Sequence, residues 1–440
     1  MQNFMDTHLI WRRLLPTTLV VVFIVYLIQG LSPLRINSDS AIYLHMARSA
    51  WLGNGFTVLG GHVHLPSGYP AILTLLHAIG LATPFVFVSL NSLFLLSGSL
   101  IFYHLFRRTY GLNKIEGLCL VLMTFFCFVS LKNTVLTMSD TMYYFVSSLA
   151  LFGLCSIKGR FLECLGTAVL SLILISEAIW VRTVGIALIP PVIFAVMTSN
   201  GQFNAKKFIK NKKALGFCFV LTLVVVVIAY SFRGYTSYEN ITFDLFMKSV
   251  AETNLSEALI THFTWKVSDI YQILLNIPIS ILPDWLKVPF LGAGLLLLCL
   301  VARGFSLYLS KICCLDVYFI SYSSIIMAWH YQDPRFWLPV LPFLLLFLYR
   351  GLSITSYMAI YKFGSISWLT IYGGMGLIAL VYSTHLTFSG ADFSDRYGGG
   401  VYKDIYRSAF SGKEYVNQSK DMRLKFELLK LYEPRAQTND

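Results

Sequence analysis

Apolar stretches close to the length that crosses a bilayer recur along nearly the whole chain, and they set the fold class before any motif is considered. A segment inside hydrocarbon has no water to satisfy its backbone. It closes its own hydrogen bonds as a helix, or joins a closed barrel. Barrel strands alternate apolar and polar residues, and these runs do not. Only 13% of the residues are charged, against about 25% in a soluble domain. The sequence therefore predicts an all-α polytopic membrane protein.

Spans read over about 14–31, 85–105, 115–131, 140–157, 162–180, 184–198, 215–232, 288–307, 315–329, 336–349 and 366–387, about eleven in all. The net charge of +12 is not spread evenly. Lysine and arginine cluster at Arg107–Lys114, Lys158–Arg160, Ser199–Lys213, Arg303–Lys311 and Arg350–Lys362, all between spans on one side. By the positive-inside rule that side is cytoplasmic. Arg12 and Arg13 before the first run read as a signal anchor, with no convincing cleavage site. The outside then receives a first loop (32–84), a second long segment (233–287), the short loop 329–335 and a tail (388–440), leaving 1–387 as the transmembrane domain. The tail carries Phe393, Tyr397, Tyr402, Tyr406, Phe410 and Tyr415 and reads as a small ordered element.

The eight cysteines fall in apolar segments or their cytoplasmic flanks, without disulfide or zinc spacing. No basic patch with interleaved aromatics is present, so nucleic acid is not an expected partner; the bilayer is.

Candidate chemistry lies on the outside face. In "RINSDSAIYLHMARSAW" the first loop places Asp39 at the start of a helix that Asn37 or Ser38 can cap, with Tyr43 four residues on along the same face. An acid there stabilises the helix dipole whatever else it does. "GHVHLPSGYP" follows: His62 and His64 alternate on an extended stretch, and Pro66 and Pro70 force a turn around Tyr69. No third ligand accompanies the histidines, so no metal or other cofactor is expected, although a divalent ion is compatible with them. Asp140 opens a span beside Ser139. Glu177 and Arg182 flank the outer end of another, five residues apart, a poor spacing for a mutual ion pair. "WHYQDPRFWLPVLPF" crowds His330, Tyr331, Asp333 and Arg335 into a very short loop. Arg335 either snorkels to the headgroups or holds phosphate oxygens with its planar fork.

The blocks "SDSAIYLHMARSAWLGNGFTV", "PSGYPAILTLL", "SDTMYYFVSSLALFGL", "WVRTVGIALIPPV" and "DPRFWLPVLPFLLL", in this order, resemble the multi-pass C-type glycosyltransferases. The similarity is to the bacterial branch related to protein O-mannosyltransferases and aminoarabinose lipid A transferases, and it covers about residues 10–350. It implies a sugar on a polyprenyl or dolichyl phosphate as donor and a lipid, glycan or protein hydroxyl as acceptor. It also implies a bacterial plasma membrane with the site on the extracytoplasmic face. By the same resemblance Asp39 matches the loop acid used as catalytic base, Tyr69 the Pro-x-Gly-Tyr-Pro turn, and Arg182 and Arg335 the arginines around the lipid phosphate. Tyr43, His62, His64, His330 and Tyr331 complete the expected substrate-binding set. Many relatives have an Asp-Glu pair where this chain has Asp39-Ser40. One carboxylate base without a separate nucleophile implies inversion at the anomeric carbon. The rival readings are a lipid or solute transporter or flippase lined by Asp140, Glu177 and Arg182, and a ligase using a lipid-diphosphate donor.

Overall fold

The computed structural model describes residues 2–63, 65–156, 165–198, 237–353, 358–397, 401–410 and 419–432. Helices dominate these residues, and the one sheet among them is a hairpin of Thr57–Val58 and Gly61–His62. The helices are α1 (Gln2–Ile28), α2 (Ser38–Trp51), α3 (Gly68–Ala78), α4 (Pro84–Tyr110), α5 (Lys114–Phe126) and α6 (Phe128–Val135). They continue as α7 (Asp140–Ser156), α8 (Leu165–Val181), α9 (Ile189–Thr198), α10 (Ser237–Glu252), α11 (Leu255–Leu275) and α12 (Asp284–Ser306). The last are α13 (Cys314–Ala328), α14 (Leu341–Ser353), α15 (Met358–Thr387), α16 (Phe393–Arg396), α17 (Val401–Phe410) and α18 (Lys420–Tyr432).

Five described helical segments are long and apolar enough to cross a bilayer: Arg13–Leu31, Pro84–Tyr110, Asp284–Lys311, Pro334–Leu352 and Gly364–Thr387. Their outward faces carry bare aliphatic side chains such as Val288, Leu296 and Ile378, which suit a lipid surface. The chain is an integral multi-pass membrane protein.

Among the described residues five such spans, or six with the bent pair that follows, stand where about eleven are expected over the whole chain. The stretch expected over 115–131 is two helices, α5 and α6, bent by 58°. The break is pinned. The Asn276 side chain accepts the Phe128 N–H through Oδ1 (2.8 Å) and donates through Nδ2 to the Phe126 and Tyr372 carbonyls (2.8 and 2.9 Å). One buried amide thus takes up backbone groups that the bend releases, as a helix break away from water requires. The run expected at 184–198 begins as a 3-10 helix, Thr183–Leu188, and becomes α-helical only where Pro190 and Pro191 occupy the first turn of α9. Pro334 and Pro339 likewise keep Pro334–Val340 in 3-10 form before α14. The run expected at 215–232 lies outside the described residues.

Three features bring distant segments together. After α1 the chain passes beside the segment that precedes α7, with a parallel bridge between Arg35 and Leu136. The starts of α2 and α7 are thereby neighbours. The 3-10 segment Pro334–Val340 packs on α7, and the end of α8 turns at Arg182 into the same region. The tail helices fold back: α18 packs on α2, while Phe393, Tyr397, Tyr406 and Phe410 form an aromatic cluster.

Candidate active site

The first turn of α2 separates two roles that an acid at this position can have. Asn37 is the cap: its Oδ1 accepts the Ser40 N–H at 2.8 Å, and its own N–H donates to Ser40 Oγ at 2.7 Å. That reciprocal pair is a capping box. The Asp39 carboxylate is not part of it and points elsewhere.

It points to Arg335. Nη2 of Arg335 lies 2.5 Å from Oδ2 of Asp39, and the two side chains are 16% and 32% exposed. Arg335 is also ion-paired through Nε to Oδ2 of Asp333 at 3.0 Å. The other oxygen of Asp333 accepts the Arg335 backbone N–H at 3.0 Å and caps the 3-10 helix. Asp333 therefore fixes backbone and side chain of Arg335 together, while Asp39 meets the outer edge of the guanidinium.

A second arginine stands beside the first. The guanidinium carbons of Arg335 and Arg182 lie 4.9 and 5.4 Å from the centroid of one ring, that of Phe336. Arg182 is ion-paired with Asp140, which is fully buried at the start of α7. A cation over an aromatic face is held by the ring quadrupole, so Phe336 offers both guanidiniums one favourable surface. Three carboxylates (Asp39, Asp140 and Asp333) and two guanidiniums are thus collected from four chain segments: the start of α2, the start of α7, the end of α8 and the 333–335 turn.

Of the other expected residues, Tyr43 and Tyr69 reach this centre. Tyr43 is buried on the inner face of α2, and its hydroxyl shares a 3.0 Å hydrogen bond with Ser139, next to Asp140. Burial raises the Tyr43 phenol above its usual value, Arg182 opposes the shift, and the phenol stays neutral. Tyr69 is fully enclosed in α3. Its ring meets Tyr43 edge-on at 5.6 Å, and its hydroxyl donates to Asn91 Oδ1 at 3.2 Å. It supports α2 from beneath. His62 lies in the hairpin, and His64 lies outside the described residues. His330 and Tyr331 are set against α11. His330 stacks on His262 at 5.3 Å, and the Tyr331 carbonyl accepts from Lys266 Nζ at 2.6 Å. Arg182 finds its ion-pair partner in Asp140.

Asp140 and Asp333 are the site carboxylates that the sequence pattern left unassigned, although each stands beside a motif it does expose. Asp333 stands two residues from Arg335 in the sequence, whereas the pairing of Asp140 with Arg182, 42 residues on, is not written in any spacing. Phe336 carried no signal of its role, since an aromatic before an apolar run reads as core. Behind the site, α11 buries Lys266 and Asp269 against the 329–333 loop. Among the described residues no group of three or more His, Cys, Asp or Glu is placed to hold a metal ion.

No protein-family model matches the chain, and no curated protein matches it in sequence. Solved structures do match. ArnT from Cupriavidus metallidurans bound to undecaprenyl phosphate superposes with a TM-score of 0.53 at 15% identity, over 97% of this chain and 88% of that one. The same protein in the apo state gives 0.47 at 15% identity, over 92% and 68%. The first match covers nearly the whole chain, and at that identity it speaks for the fold alone. The fold is similar to that of ArnT, the kind of fold that the order of the sequence blocks had implied.

Proposed function

We propose that this chain is a membrane glycosyltransferase that moves a sugar from a polyprenyl-phosphate donor to an acceptor hydroxyl on the extracytoplasmic face, with inversion. The observation that carries this reading is the contact of Asp39 with Arg335 beside Arg182. A base and a paired cationic surface for phosphate stand within one small region of a fold shared with ArnT, a protein solved with undecaprenyl phosphate.

The chemistry follows from charge. Arg335 and Arg182 hold the phosphate of the donor, whose lipid tail stays in the bilayer. Asp39 takes the proton of the acceptor hydroxyl as its oxygen attacks the anomeric carbon. The bond from that carbon to the phosphate oxygen breaks, and its electron pair leaves with the phosphate. A donor phosphate carrying one negative charge becomes a lipid phosphate carrying two, while Asp39 goes from one negative charge to none. The total charge around Arg335 is unchanged, so its guanidinium passes from a carboxylate partner to a phosphate partner as the reaction proceeds. Cations fixed where negative charge develops are commonly the largest catalytic contribution.

The test is incubation of the purified protein with a polyprenyl-phosphate sugar and a mixture of envelope glycolipids and peptides. Release of free lipid phosphate together with a glycosylated product is expected. Movement of intact donor across vesicle bilayers without cleavage would instead identify a flippase, and cleavage only of a diphosphate donor would identify a ligase.

A further inference from the structure

The segment Leu34–Ser38 leads directly into Asp39, and the tail grips it at three points. Tyr406 donates its hydroxyl to the Leu34 carbonyl at 2.5 Å and accepts the Ile36 N–H at 3.2 Å. Tyr397 donates to the Ile36 carbonyl at 3.3 Å. Lys425 donates to Ser38 Oγ at 3.1 Å. Between these points Arg35 is anchored from the other side, to Ser32 Oγ, to Ser383 Oγ and carbonyl, and to Thr387 Oγ1, at 2.7–3.1 Å. The extended strand before α2 is thus held between the end of α15 and the tail helices.

Lys425 is the least expected member. It is 1% exposed, and its ammonium is paired with Asp421 at 2.6 Å and lies 4.9 Å from the Tyr402 ring centroid. A buried ammonium is costly to desolvate, and its partner Asp421 is 42% exposed, so water can take up that carboxylate when the ammonium is replaced. The charge therefore contributes little to holding the tail on the protein. What it supplies is a directed hydrogen bond to the residue preceding Asp39.

Building on the glycosyltransferase reading, we propose that the C-terminal helices are a working part of the site, with Lys425 and Tyr406 as positioning residues that set where Asp39 stands relative to Arg335. Asp39 must reach both the acceptor proton and the edge of Arg335, and a displacement of about 1 Å at such a base costs roughly a hundredfold in rate. The cap box of Asn37 and Ser40 fixes the start of the helix internally but not its place in the protein. The tail provides that second constraint.

The experiment compares Lys425→Met, Ser38→Ala and Tyr406→Phe with the full-length protein, in detergent, using the lipid-phosphate release assay. Ser38→Ala removes the accepting oxygen while leaving the Lys425–Asp421 pair and the Asn37 cap in place, so it serves if Lys425→Met fails to fold. Each variant is expected to lose about ten- to a hundredfold in kcat with donor KM and melting temperature unchanged. Lys425→Arg, which keeps a donor, should recover part of the loss. In an Asp39→Asn background Lys425→Met should cost nothing further. Full kcat in both Lys425→Met and Ser38→Ala, with Asp39→Asn inactive, would overturn this inference and leave the glycosyltransferase reading standing. Absence of lipid-phosphate release by the wild-type protein would remove that reading instead.

Discussion

Arg335 and Asp39 are 296 residues apart in the chain and 2.5 Å apart in space. Neither is an ordinary surface ion: the arginine is mostly buried, and the acid is two-thirds covered. The contact ties the first loop to the last short loop. It also makes the pair one chemical unit, since a phosphate arriving at Arg335 meets a guanidinium already engaged by a carboxylate.

Arg335→Lys keeps the charge and loses the fork. A lysine ammonium is a point charge and does not present the planar donor set that meets Asp39, Asp333 and a phosphate together. A fall of about ten- to a hundredfold in kcat/KM is expected, most of it in donor KM. Steady-state kinetics with varied donor concentration measure it, and unchanged kinetics would mean that Arg335 only snorkels.

Asp140→Ala tests the second arginine. Removing one partner of a buried pair leaves the other uncompensated and commonly costs about 3–5 kcal/mol. The variant should therefore melt at a clearly lower temperature in detergent than the wild type. Arg182→Ala, which leaves a carboxylate that can take up a proton, should melt higher than Asp140→Ala but bind donor more weakly than wild type.

A pH effect arises behind the site. Burial, reinforced by Asp333 and opposed by Lys266, raises the Asp269 carboxyl to about 7. In the unfolded chain it releases its proton near the usual value of about 4. Between those two values the folded protein holds a proton that the unfolded chain has lost, so this group's contribution to stability falls as pH rises from about 4 to 7. Asp269→Asn removes that contribution. Melting temperatures at intervals from pH 4.5 to 7.5 should show the wild type losing ground to Asp269→Asn as pH increases, and parallel curves would contradict the assignment.

How much of this was legible in the sequence differs by feature. The helical membrane class followed from the apolar runs, and the cap of α2 from Asn37 and Ser38. Asp39 and both arginines were visible as charges placed where charge is costly. The breaks within the expected spans were not legible: Thr183–Leu188 is a 3-10 stretch before the Pro190-Pro191 turn, and Pro334 and Pro339 give the Pro334–Leu352 span a 3-10 start. The α5–α6 bend depends on Asn276, some 150 residues away. The partners of the arginines were hidden for the same reason. Spacing shows which residues share a helix face, but the pairing of Arg182 with Asp140, or the seating of both guanidiniums on Phe336, is a property of tertiary packing. Lys425 gave no signal, since a lysine in an amphipathic tail helix reads as a solvent-facing charge.

Asn276→Leu checks the hinge itself. It leaves the Phe128 N–H and two carbonyls without their partner in a buried setting, at about 1–3 kcal/mol for each group left unsatisfied. A large loss of thermal stability is expected, with the donor affinity of the surviving folded fraction retained. A melting temperature equal to wild type would show that the bend does not need its pin.

The most direct test of the site is Asp39→Asn. Asn37 caps the helix, so the substitution should leave expression, monodispersity and melting temperature close to wild type. Arg335 keeps Asp333, and the loss of one competing carboxylate should leave donor binding unchanged or tighter. Asparagine cannot accept the acceptor's proton, and loss of a general base commonly costs about a hundred- to ten-thousandfold in rate. The measurement is the rate of lipid-phosphate release by purified Asp39→Asn at saturating donor and acceptor. A fall of that size with donor affinity intact is the expected result; transfer at close to the wild-type rate by a well-folded Asp39→Asn protein would contradict the role of Asp39 as the base.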